Sequence, residues 1–161
     1  MREGTITHDE DKLQEIAEQW QTALRLRDWD IEVHVCRVKD MGKSRNGEVH
    51  YNLLKKHAVI NVLDPRDYKD DFMPQDQEYT VVHEMLHLHF AGLDPAIQES
   101  KLADLVLEQG IHACATLMTE LLRAMQAAKA GQQESPTEQP VVTSGTRKPR
   151  RAVKKPVIAV V

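Results

Sequence analysis

The sequence predicts an α+β domain in which a small three-stranded sheet packs on helices. Three observations carry this: an apolar stripe at helical spacing near the start, three short strand-like segments between residues 29 and 63, and sustained helical periodicity from about residue 76 to residue 128. The 161 residues suit one compact domain with a tail and are too few for two ordinary domains.

The elements follow in order. Thr7 or Asp9 is placed to cap a helix starting near His8 and ending near Arg27, with Leu13, Ile16, Ala17, Trp20, Ala23 and Leu24 on one stripe. Trp29, Ile31, Val33 and Val35 then alternate with Asp30, Glu32, His34 and Cys36, the period of a half-buried strand. After a polar loop with Gly42 and Gly47 come a weaker strand, Glu48–Leu53, and a third, His57–Leu63, which Asp64-Pro65 stops. A loop with Tyr68 and Pro74 leads to a helix from about Asp76 to Ala91, with Gly92 as its stop. Asp94-Pro95 fits a cap followed by proline in a first turn. A long helical stretch then runs to about Ala128, with a break placed near Glu99 or Gly110. Glycine inside a helix costs about 1 kcal/mol relative to alanine, so Gly110 calls for either close packing against another helix or such a break.

Apolar residues make up 41% but aromatics only 4%, so the core is aliphatic. No apolar run approaches the ~18 residues of a membrane helix. The opening MREGTITHDEDK is polar and acidic, unlike a secretory leader, and the expected compartment is the cytoplasm. Cys36 and Cys114 lie too far apart in sequence for a Cys-based zinc ribbon and do not suggest a disulfide framework. Residues 1–130 read as the domain and 131–161 as a disordered, proline-containing tail. The tail holds six Lys/Arg and two Glu, or +4, so the net charge of −4 leaves −8 on the body. An acidic body is not a nucleic-acid surface; the KPRRAVKK stretch is where weak nucleic-acid contact belongs, if it is not simply a solvated tail.

The chemistry concentrates in VVHEMLHLHF. His83, Glu84 and His87 spell HExxH within a helix whose other positions are largely apolar. Residues four apart share a face, so both imidazoles can point at one ion, and Glu84 can reach a water on that ion as general base. With eight His and thirteen Glu in the chain, a chance HExxH arises with a probability of roughly 3%. His89, two positions on, points elsewhere and is not counted as a ligand. A mononuclear site needs a third ligand. At about 100° per residue, Glu108 falls in the middle of the stripe formed by Leu105, Ile111, Ala115 and Leu122, whereas Glu99 and Glu120 fall off it. A carboxylate aimed at a core needs a cation or a hydrogen-bond network. Asp104 and His112, one turn either side, are rival ligands or partners that orient a ligating imidazole.

The pattern of HEMLH, twenty intervening residues and then Glu108 resembles the gluzincin type of zincin metallopeptidase. The body, over roughly residues 8–128, resembles the minimal domains of small phage and prophage metallopeptidases. The resemblance implies a Zn2+ site of His83, His87 and Glu108. It also implies Glu84 as catalytic base and a peptide or protein substrate; no membrane partner is expected, since no apolar run is long enough. It further implies that HAVINVL is an edge strand pairing with extended substrate. The chain lacks the His-x-x-Gly-x-x-His continuation of metzincins and a clear downstream His box of the SprT-like type. Tyr51, Tyr68 and His112 are candidates for stabilising an oxyanion. The rival expectations are a catalytically silent zincin-fold binding module and a nucleic-acid-associated protein working through its tail.

Overall fold

The structure, a computed structural model, describes residues 4–41, 46–69, 73–93 and 99–133. The elements are α1 (Glu10–Ala23), β1 (Asp30–Cys36), β2 (Gly47–Asn52), β3 (His57–Leu63), α2 (Gln77–Phe90) and α3 (Lys101–Gln133), with single 3-10 turns at Val38–Asp40 and Pro65–Asp67. This is the α+β arrangement expected, a three-stranded sheet packed on the HExxH helix and its neighbours. No helix among the described residues is long and apolar enough to cross a membrane.

The sheet order is β1-β3-β2, with β1 parallel and β2 antiparallel to β3. HAVINVL is therefore the central strand, which corrects its expected place at an edge. The physical reason is burial: Ala58, Ile60 and Val62 are fully buried, and the most apolar strand gains most from neighbours on both sides. The edge nearest the candidate site is β2. The opposite edge, β1, is covered by α1, where the Gln14 side chain donates to Ile31 O (2.9 Å) and accepts from Val33 N–H (3.0 Å).

Asp9 caps α1, accepting from Lys12 N at 2.8 Å. The helix ends at Ala23, four residues before the expected Arg27. Arg25 takes a left-handed φ of 58°, and the N–H groups of Arg25 and Leu26 return to Thr22 O and Gln21 O. This pattern satisfies the last carbonyls as a glycine cap would. Leu13, Ile16, Ala17 and Trp20 meet the sheet and α2 in one core with Trp29, Ile31, Val81 and Met85.

Helix α2 starts at Gln77, capped by Asp76, and Gly92 lies in the turn after it without a left-handed φ. Helix α3 runs unbroken through Gly110 to Gln133, about 50 Å at 1.5 Å per residue. Both expected reasons for Gly110 fail among the described residues: the helix does not break there, and none of their atoms lies within 4 Å of where its Cβ would be. The expected cap at Asp94-Pro95 and the tail from residue 134 on lie outside the described residues, while Gly131–Gln133 continue α3.

Candidate metal centre

Two links hold α2 in place. At its start, Asp76 Oδ1 accepts from Tyr79 N at 2.9 Å. Arg123 of α3 clamps the same turn, donating to both oxygens of Asp76 (2.7 and 2.9 Å) and to Glu78 Oε2 (3.0 and 2.7 Å). Trp20 of α1 donates to the other Glu78 oxygen at 3.1 Å. Three helices thus converge on one turn. One face of α2, with Val81, Val82, Met85 and Leu88, enters the core. His83 and His87, four residues apart, face α3 instead and are partly exposed.

Glu108 of α3 meets them there. Its Oε2 lies 3.4 Å from His83 Nε2 and its Oε1 3.3 Å from His87 Nε2, while the two Nε2 atoms are 3.3 Å apart. Donors held about 2.0–2.1 Å from one centre at tetrahedral angles are separated by about 3.3–3.4 Å. The two imidazole nitrogens meet that separation, each has one Glu108 oxygen beside it, and one donor atom from each of the three residues lies within 4.8 Å of the others, a set able to hold a divalent cation. Burial, followed by the charge of His87, pushes the His83 imidazole below its ordinary value against the pull of Glu108. That favours the neutral form, the one able to ligate.

Glu108 itself is not buried in the core as the stripe suggested: its side chain is 45% exposed. The stripe splits, with Ile111 and Ala115 buried and Leu105 exposed, because α3 packs on α2 only along part of its length. Glu108 faces the floor of an open cleft of about 1060 Å3 instead. Gly47, Val49 and Tyr51 of β2 line one wall and Asp104, His112 and Thr116 of α3 the other.

Glu84 is buried at the back of this cleft. A Cβ on Gly47 would stand 2.5 Å from Thr80 Cγ2 and 2.9 Å from Glu84 Oε1, so the bare glycine backbone is what lets β2 approach the helix there. Asp104 lines the cleft but does not join the three converging donors. His112 pairs with Tyr79, whose hydroxyl lies 2.5 Å from His112 Nδ1 and 3.5 Å from His83 Nδ1. With that hydroxyl donating to His112, its lone pair faces the Nδ1–H tautomer of His83, which leaves Nε2 free for an ion. Burial raises the Tyr79 pKa, keeping the proton on the phenol. Tyr79 was not singled out from the sequence, although its spacing to His83 and His87 (79, 83, 87) puts it on their face.

The remaining candidates sort by position. Tyr51 Oη donates to Ala91 O (3.4 Å) and Tyr68 Oη to Met73 O (3.0 Å), both lining the cleft. His89 is exposed at the end of α2, away from the triad. A second group, Asp30, Glu32 and His57, comes together on the sheet surface, where His57 Nδ1 lies 3.2 Å from Asp30 Oδ2. No family model, no curated protein and no solved structure matches the chain.

Proposed function

We propose that the chain is a zinc-dependent peptidase of the HExxH type. The observation that carries the reading is the convergence of His83, His87 and Glu108, one donor atom from each within 4.8 Å of the others, on the floor of an open cleft. Zinc bound there supplies Lewis acidity toward a peptide carbonyl and lowers the pKa of a water. His83 and His87 offer their Nε2 lone pairs, and Glu108 adds the negative charge. Tyr79 holds the tautomer of His83. The Glu84 carboxylate takes the proton of the attacking water and passes it to the leaving amine nitrogen. An extended peptide runs along β2, whose Gly47, Val49 and Tyr51 face the cleft. We put the site of action in the cytoplasm, a reading that the free thiols of Cys36 and Cys114 support.

The experiment measures metal and turnover together. Wild type should hold about one zinc per chain, and competition with a chromophoric chelator at one pH should rank the variants. Glu108→Ala, His83→Ala and His87→Ala should lose affinity sharply, and Asp104→Ala and His112→Ala far less. Glu84→Gln should keep its zinc and lose roughly 10²–10⁴-fold in peptide hydrolysis. Wild-type affinity in Glu108→Ala overturns the ligand set. Undiminished hydrolysis in Glu84→Gln at matched zinc content overturns the mechanism, and a zinc-loaded wild type that cuts nothing in a peptide library favours a silent binding module.

A further inference from the structure

The cleft around the metal centre is charged predominantly with one sign. Asp76, Glu84, Asp104, Glu108 and Glu120 line it, and among the described residues Arg123 is the one arginine that does so and no lysine joins it. Arg123 is spent on Asp76 and Glu78, to which it makes four hydrogen bonds. Glu84 and Glu108 belong to the metal centre, where a divalent ion balances their charge. Asp104 and Glu120 are left over. Both are exposed, and among the described residues neither carboxylate has a hydrogen-bond or ion-pair partner.

The two stand toward opposite ends of the cleft. Helix α3 runs against α2, with Arg123 at the first turn of α2 and Glu108 at His83 and His87. At about 1.5 Å per residue, Asp104 lies about 6 Å beyond Glu108 toward the end of α2, and Glu120 about 18 Å back toward its start. Tyr51 reaches the end of α2, where it donates to Ala91 O, and so shares that end of the cleft with Asp104. Leu107, beside Glu108, adds further apolar lining. Apolar walls leading to an open carboxylate suit a side chain with an aliphatic stem and a cationic head.

We propose that the cleft takes a basic peptide, with one Lys or Arg set against Asp104 and a second set against Glu120. The inference rests on the peptidase reading above, from which it takes the occupant to be an extended peptide. Such a chain advances about 3.3 Å per residue. The first cation therefore falls about two residues from the cut bond and the second about five residues to its other side. A cleft of one sign concentrates partners of the opposite charge and rejects those of its own. An acidic peptide is disfavoured on that ground, and so is nucleic acid, whose phosphates meet two uncompensated carboxylates.

The test uses the full zinc-loaded chain carrying Glu84→Gln, so that peptides are bound without being cut. Three fluorescent peptides of about ten residues differ only in carrying two Lys, two Gln or two Glu about seven residues apart. Two exposed charge pairs are worth about 3–20-fold in affinity. Anisotropy titrations at about 50 mM salt should rank the Lys peptide above the Gln peptide by that factor, with the Glu peptide weakest, and about 300 mM salt should narrow the spread. Asp104→Lys with Glu120→Lys, at matched zinc content, should invert the ranking. Asp104→Asn with Glu120→Gln should flatten it should the first pair fold poorly. Reversing two exposed carboxylates of α1 that do not line the cleft, Asp11→Lys with Glu18→Lys, should leave the ranking as it is. Equal affinity for the three peptides overturns the inference. So does a ranking that survives both cleft variants, or one that the α1 reversal abolishes as well. Mass spectrometry of a peptide library treated with wild type separates this inference from the one it rests on. Cleavage with no Lys or Arg about two residues from the cut bond overturns the basic occupant and keeps the peptidase. A basic preference in binding with no cleavage supports the basic occupant and overturns the peptidase.

Discussion

Replacing Arg123 with methionine removes the clamp between α3 and the first turn of α2. The guanidinium makes four hydrogen bonds to two carboxylates, and they hold its pKa above the ordinary arginine value, Asp76 most of all. Side-chain exposure is 31% for Arg123, 23% for Asp76 and 15% for Glu78, between an open pair and a buried one. An open pair contributes up to about 1 kcal/mol, whereas breaking a buried pair costs about 3–5 kcal/mol because it leaves a charge unpaired. Intermediate burial puts the loss at about 2–3 kcal/mol. At about 3–5 °C per kcal/mol for a domain of this size, Tm should fall by roughly 10 °C. Urea titration at pH 7 should show a lower midpoint with an unchanged slope. Adding Asp76→Asn should recover part of the loss, because the amide still caps α2 without leaving a lone carboxylate. A loss below about 0.5 kcal/mol, the range of an ordinary surface change, would refute the view that the clamp couples the two helices.

Gly47→Ala forces its new methyl against Thr80 and Glu84. It should cost about 1–3 kcal/mol by urea titration and lower peptide turnover by displacing Glu84; wild-type values in both would show that β2 yields freely there. The ion pair at Asp64 predicts acid behaviour. Hydrogen bonds from the Arg66 side chain, then from its backbone N–H, hold Asp64 at about 2, below its ordinary 3.8. The folded value is the lower one, so the stabilisation is present above pH 3.8 and is lost as the pH falls toward 2. Thermal melts should therefore show a shallower fall in Tm over that range in Asp64→Asn than in wild type, and parallel curves would reject the assignment.

What the sequence made legible was whatever depends on local periodicity. Alternation over Trp29–Cys36, the apolar His57–Leu63 segment and the stripe of α1 each became the expected element within a few residues. Two misreadings share a cause. The end of α1 is written in backbone geometry, with Arg25 in the position where glycine is the usual sign, and the central place of β3 depends on contacts from distant segments. For the site, His83, Glu84 and His87 stand in one motif, and Glu108 was reached from helical angles. Glu108 is nevertheless not held in a core: its carboxylate faces the cleft. Tyr79 escaped notice because a tyrosine on an apolar helix reads as packing until His112 is brought beside it from α3.

The contact between Gln14 and β1 bears on how this protein behaves among its neighbours in solution. One side chain offers Ile31 and Val33 the same donor and acceptor that an adjacent strand would. Glu10 extends the imitation by accepting from Val35 N–H at 2.9 Å. Helix α1 thus acts as a stopper on that rim of the sheet, and a stray strand from another molecule finds its bonding positions taken. The amide hydrogens of Val33 and Val35 accordingly exchange with solvent only as often as α1 lifts away, so their exchange rates read out the docking of a helix rather than the breathing of a strand.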